Sequence, residues 1–353
     1  MAYSQTLARR GFWAGLSRDA LALGAMVLAL GLTIAISLCL GSHNIPLEET
    51  LKLVWLKLTG QEVDPLYRRS EVVLFAIRLP RILMAFLVGA SLSLAGAAYQ
   101  ALFRNPMVSP DILGVSSGAG VGATLAISWG LPTLGLHFMA FVFGLLAVFL
   151  VLFVTHLVSH GKSLLVLILV GVVVSALFGA LGSFVKYLSV DDQTLSSMVL
   201  WLMGSFAHAG SWPNVSVMAL AFCLGGIPLW LTRWRINALA FGEEEAQSMG
   251  VGYERLRLVI IIGSTLLTAS AVALCGLIGW VGLIIPHLSR FLVGPNFGRL
   301  CPAAVLGGGL FMLIVDSLVR VALPGEMPVG IVTSLVGAPL FIYILCLGRK
   351  TWI

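Results

Sequence analysis

Gly114-Val115-Ser116-Ser117-Gly118 carries the GxSxG spacing of a serine nucleophile. That chemistry needs a strand before the serine and a helix after it. Here the stretch follows Pro110 and opens a run of small apolar residues. Close helix packing is the better reading, with Gly118 and Gly122 on one face. Gly161-Lys162-Ser163 has the last three residues of a phosphate-binding loop, but the first glycine of that loop is replaced by His156. His156 and His160 sit at i, i+4 and could share a metal, yet no third ligand lies nearby. A helix end at a membrane surface is expected instead. Asp316 and Arg320 are also at i, i+4, inside an apolar helix. They are expected to neutralise one another, with Arg320 near the helix end where its stem can snorkel. Cys39, Cys223, Cys275, Cys301 and Cys346 form no CxxC pair. The residues therefore point to no catalytic group, no metal site and no resident cofactor.

The elements that must hold these residues follow from composition. Of 353 residues, 59% are apolar and 10% are charged, against roughly 25% charged in an ordinary soluble domain. The mean hydropathy is +1.03. So few charges cannot cover a water-facing surface of this size. A soluble enzyme, a nucleic-acid binder and a disordered chain are set aside. The net charge of +6 reads as a set of topology signals.

Apolar runs predict spans near 20–41, 76–103, 112–131, 136–157, 163–187, 213–232, 256–276, 277–293, 302–322 and 328–347. One span takes about 20 residues, so the long apolar run ending at Arg290 must divide, and Gly276 is the natural turn. Arg9, Arg10 and Arg18 precede the first run with no small-residue cleavage site, which predicts a retained span. Ten spans place both termini on one side. Loops on that side hold 13 Lys and Arg and the opposite loops hold 8, so the termini are expected in the cytoplasm. A weak repeat relates Leu94-Ala95-Gly96, Pro106, Gly114 and Gly118 to Leu274-Cys275-Gly276, Pro286, Gly294 and Gly298 at an offset of 180. Outer segment 42–75 is expected to hold a short surface helix over Leu47–Leu58. Segment 236–252 is the acidic cluster of the cytoplasmic side, set between two arginine pairs.

RLPR at 78–81, LVGASLSLAGAAYQALFRNPMVSPDILGVSSGAG at 87–120, ALAFGEEEAQSMGV at 238–251, GLIGWVGLIIPHLSRFLVG at 276–294 and PVGIVTSLVGAPLFIYIL at 328–345 resemble the FecCD family. These are membrane permeases of ABC importers for ferric siderophores, haem and cobalamin. The likeness runs from about residue 76 to 348 in the family's order. It implies an all-α polytopic chain of about ten transmembrane helices, a single permease domain over 1–353 with the type II ABC importer fold. The chain would sit in the bacterial inner membrane and pair with a second copy or a close paralogue. Two separate ATPase subunits would hydrolyse ATP, and a solute-binding protein would deliver cargo from outside. Neither nucleic acid nor a cofactor is implied.

The resemblance also assigns residues. Gly242, Glu243, Glu244, Ala246 and Gly250 would form the coupling helices, 238–251, that dock in the ATPase. Glu243, Glu244 and Glu245 would open the second of these helices, where its dipole favours carboxylates. Arg78, Arg81 and Arg320 would meet carboxylates of the binding protein. The fifth helix, with parts of the eighth and tenth, would line the pathway, and Ser163 and Leu164 would lie at its cytoplasmic gate. Ferric siderophore is the expected cargo, then haem or cobalamin. An oxyanion such as molybdate is the alternative within the same fold. A secondary transporter is the alternative outside it, and no chain of carboxylates and histidines supplies its relay.

Overall fold

The computed structural model describes residues 2–41, 45–160, 163–189, 191–207, 209–322 and 327–348. Gly161 and Lys162, and part of the outer segment at 42–44, lie outside them. The described residues form helices and turns with no strand. In chain order the helices are α1 (Ala2–Cys39), α2 (Leu47–Thr59), α3 (Arg68–Val72), α4 (Leu79–Leu102), α5 (Val115–Ser128), α6 (Thr133–Ser159), α7 (Leu164–Tyr187), α8 (Asp192–Leu202), α9 (Trp212–Leu231), α10 (Arg233–Ala238), α11 (Glu243–Ser248), α12 (Tyr253–Cys275), α13 (Val281–Val293), α14 (Phe297–Ala322) and α15 (Val329–Gly348). Among the described residues, seven helical stretches are long and apolar enough to cross a membrane, and α5, α13 and most of α15 are shorter apolar helices. Together they give the ten expected spans of a multi-pass membrane protein.

Helices α4 and α12 form the centre. Almost every residue of α4 from Val88 to Gln100 is buried, and so is α12 from Leu267 to Cys275. Small residues bring the backbones together. A Cβ added at Gly89 would lie 2.1 Å from the Gly308 carbonyl oxygen of α14, and one at Gly96 would lie 1.7 Å from that of Gly282 in α13. Gly118 and Gly122 do the same on α5, where an added Cβ would meet the Phe143 and Met139 carbonyls of α6 at 2.4 and 2.3 Å. The GxSxG stretch is thus a helix-packing surface, as its composition suggested.

Two spans are shorter than their apolar runs. α5 has 14 residues, about 21 Å at 1.5 Å per residue, against a hydrocarbon core of about 30 Å. Neighbouring α6 and α7 flank it, and the 3-10 turn Pro110–Leu113 precedes it across Gly114, which has φ +77°. The run from 256 to 293 does break at Gly276. Its φ of +74° is a region that side chains other than glycine rarely adopt, and a Cβ there would lie 2.2 Å from the Trp201 carbonyl oxygen.

Two features differ from expectation. α8 was not anticipated. Its start was legible in Asp191, whose carboxylate accepts a hydrogen bond from the Thr194 amide at 2.7 Å. The repeat at offset 180 has no structural counterpart at its matched positions. Gly96 lies inside α4 while Gly276 lies past the end of α12, and Pro106 sits in a turn while Pro286 lies within α13.

Candidate functional site

Chain alternation assigns residues 100–113, 159–164, 231–253 and 290–299 to one end of the bundle, with both chain ends. Among the described residues, Gln100, Asn105, Asn237, Arg290 and Phe297 come together there. α10 leaves α9, turns through Leu239–Phe241 and reaches Gly242, which has φ +114°. α11 then runs from Glu243 to Ser248, and Gly250, with φ +78°, turns the chain into α12. Ala246 is fully buried, whereas Glu244 and Glu245 are exposed and Glu243 is half-buried. α11 therefore seats one small side chain inward and presents its acidic face outward.

The segment is fastened to α14. Asn237 accepts a hydrogen bond from the Phe297 amide at 2.7 Å and donates to Asn296 Oδ1 at 3.3 Å. Beside it, Gln100 is 2% exposed. Its amide nitrogen donates to the Leu283 carbonyl at 3.1 Å and its oxygen accepts from Arg290 Nη1 at 2.6 Å. This link between α4 and α13 spans 190 residues of sequence, so no local spacing announced it.

At the opposite end lie the three arginines. Arg78 and Arg81 are 4% and 6% exposed, and the Arg320 side chain is 8% exposed. Arg81 Nε pairs with Asp316 Oδ1 at 2.9 Å, and Arg320 Nε with Asp316 Oδ2 at 3.1 Å. Asp316 is fully buried. Arg78 donates to the Leu38 and Cys39 carbonyls, and Arg320 to those of Ser37 and Leu40. The carbonyls at the end of a helix have no partner within it, and cations there complement its dipole. The arginines thus close the end of α1. This differs from the open rim expected of docking charges, which act through solvent. The i, i+4 pairing of Asp316 with Arg320 was legible. The third member, Arg81, was not, because it arrives from a helix 235 residues away.

Ser163 caps α7, accepting from the Val166 amide at 3.3 Å. Ser163 and Leu164 are both half-buried. α7 packs on α5 and α6, and its other face leaves Leu165, Leu169, Val172, Val173 and Phe184 exposed. Their spacing makes one apolar stripe. His156 and His160 lie at the C-terminal end of α6 with ring centres 6.3 Å apart. Among the described residues no three His, Cys, Asp or Glu side chains converge.

The FecCD transport family matches residues 28–346. The molybdate import system permease protein MolB of Haemophilus influenzae is 43% identical over 316 residues, covering 90% of this chain and 92% of that protein. A probable iron chelatin transport system permease protein of Helicobacter pylori is 36% identical over 329 residues, covering 92% and 96%. The hemin transport system permease protein HmuU of Yersinia pestis is 36% identical over 335 residues, with the same coverage. Among solved structures, a metal-chelate type ABC transporter in an inward-facing conformation superposes with a TM-score of 0.81 at 41% identity, over 92% of this chain and 98% of that one. With ten apolar helices in this arrangement and a family match over most of its length, the chain belongs to the FecCD transport family and is a membrane permease of an ABC importer.

Proposed function

We propose that the chain works as one of two permease copies around a central pathway, with its termini and residues 238–251 in the cytoplasm. A partner ATPase pushes on that segment, and a binding protein outside supplies the cargo. The observation that carries this reading is the coupling segment itself. Gly242, Glu243, Glu244, Ala246 and Gly250 shape a short rigid helix that projects from the bundle and is bolted to α14 through Asn237. A permease driven by a separate ATPase needs such an element to receive its motion.

The apolar stripe of α7 supports its placement on the pathway, where a wall without charges lets cargo pass unheld. Ser163 and Leu164, at its cytoplasmic end, are proposed as gate residues. The binding protein is proposed to dock at the opposite end. Arg78, Arg81 and Arg320 shape that surface from below rather than meeting carboxylates directly.

For cargo we place a molybdate-type oxyanion first and a ferric chelate second. The sequence motifs ranked them the other way. The relative named for molybdate is 43% identical, and those named for iron chelate and haem are 36% identical. Calorimetric titration of molybdate and of ferric siderophores into the cognate binding protein tests the order. Molybdate binding with proteoliposome uptake is expected. Binding of the ferric chelate alone selects the second reading.

A further inference from the structure

Between the coupling segment and the ends of α4 and α13 lies a cavity of about 470 Å³. Transport through a central pathway gives it no task, since it opens beside α10 rather than along α7. Its polar lining is Gln100, Arg104, Asn105, Asn237, His287 and Arg290. No Asp or Glu lines it. Two guanidinium groups and a histidine therefore line one hollow, with the Glu245 carboxylate beside Arg104 on the Gly242 side.

The polar atoms have unequal tasks. Gln100 is satisfied on both sides of its amide, by the Leu283 carbonyl and by Arg290. Arg290 gives one nitrogen to that bond and lines the cavity. His287 Nδ1 is buried and has no hydrogen-bond partner, although its ring is held edge-on against Phe291 with centres 5.1 Å apart. Leaving a buried polar atom unpaired costs about 1–3 kcal/mol; other atoms of His287 line the cavity.

We propose that this cavity binds a phosphate-type tetrahedral oxyanion, carried either on a phospholipid headgroup or as a free anion. Guanidinium groups match such oxygens with paired charge-assisted hydrogen bonds. Arg290 and Arg104 hold the anion from two sides, and Asn105, Asn237 and His287 complete the shell. Because Asn237 also fastens α10 to α14, an occupant ties the coupling segment to the core of the bundle. The cytoplasmic location rests on the topology proposed above; the chemistry of the cavity does not.

The full-length permease in nanodiscs provides the test. In discs of phosphatidylcholine alone, radiolabelled inorganic phosphate and molybdate are titrated at low salt. In discs containing phosphatidylglycerol, native mass spectrometry counts lipids retained after delipidation. A free-anion site gives saturable binding of one probe anion per chain in the first discs that phosphatidylglycerol does not displace. A headgroup site gives retained phosphatidylglycerol that excludes the probe. Either supports the proposal when Arg104→Gln weakens the occupant by about tenfold or more, the loss expected for one charge-assisted hydrogen bond. Arg104 is an exposed turn residue, so this variant should fold. Arg290→Lys, which keeps the charge but not the fork, should weaken binding as well. Arg235→Gln removes an exposed charge outside the cavity and should leave binding unchanged. Absence of both kinds of occupant, equal binding by Arg104→Gln, or equal loss in Arg235→Gln overturns the proposal. None of these outcomes bears on transport, which is read separately from cargo uptake.

Discussion

Replacing Asp316 by Asn should unfold this permease more readily than any other single change in its outer half. The carboxylate is fully buried, 2.9 Å from Arg81 and 3.1 Å from Arg320. Asn keeps the shape and removes the charge, so two buried guanidinium groups lose the carboxylate they share. Breaking a buried ion pair by removing one partner costs about 3–5 kcal/mol, or roughly two to three and a half powers of ten in the folding constant. Reversible unfolding in mixed micelles, titrated with dodecyl sulfate, reads this directly. Arg81→Gln then supplies a double-mutant cycle, and the two changes should couple by about 0.5–3 kcal/mol. Once Asp316 is neutral, removing Arg81 relieves repulsion, so the double variant should lie closer to the parent than the singles add up to. A loss below about 1 kcal/mol for Asp316→Asn, the range of exposed pairs, would refute the reasoning. So would an Arg81→Glu variant that kept its stability and lost only affinity for the outer binding protein, because that is how an exposed rim charge behaves.

Three further outcomes follow from the geometry. Gly250 has φ +78° and open space around its missing Cβ, so its constraint is backbone strain of about 1–2 kcal/mol; Gly250→Val, like Glu243→Arg, should abolish transport and ATPase stimulation with membrane insertion intact, Gly250→Asn should keep part of both, and normal transport by the first two would sink the coupling role. Gly96→Val would drive side-chain atoms into the Gly282 carbonyl and should remove the monodisperse peak in gel filtration, whereas Gly24→Ala, with nothing within 4 Å, should leave it; equal peaks would show that α4 and α13 do not need their close approach. Cysteines at Leu169 and Val173, in a background lacking the exposed Cys223 and Cys346, should cross-link two copies and lose accessibility when the binding protein docks; labelling by lipid-soluble maleimide alone would put this face of α7 in the bilayer.

The membrane class, the ten spans, the break at Gly276 and the short helix that starts at Glu243 were all readable in the chain. Each is set by local physics. A span is a run of apolar residues of a given length, a break is a glycine where φ must be positive, and a short acidic helix starts where carboxylates meet its dipole. The same locality made Asp316 with Arg320 visible, since i, i+4 neighbours share a helix face. Tertiary structure alone decided what those groups meet. Arg81 joins Asp316 from α4, and Arg78 and Arg320 turn to the last carbonyls of α1. Arg290 finds Gln100 across 190 residues, and Arg104 and His287 come to share one cavity. In a membrane, helices are apolar all round, so hydrophobic periodicity does not say which face meets which neighbour. That choice falls to the fit of small residues and to buried charges seeking partners, and both are properties of helix pairs rather than of any one stretch of sequence.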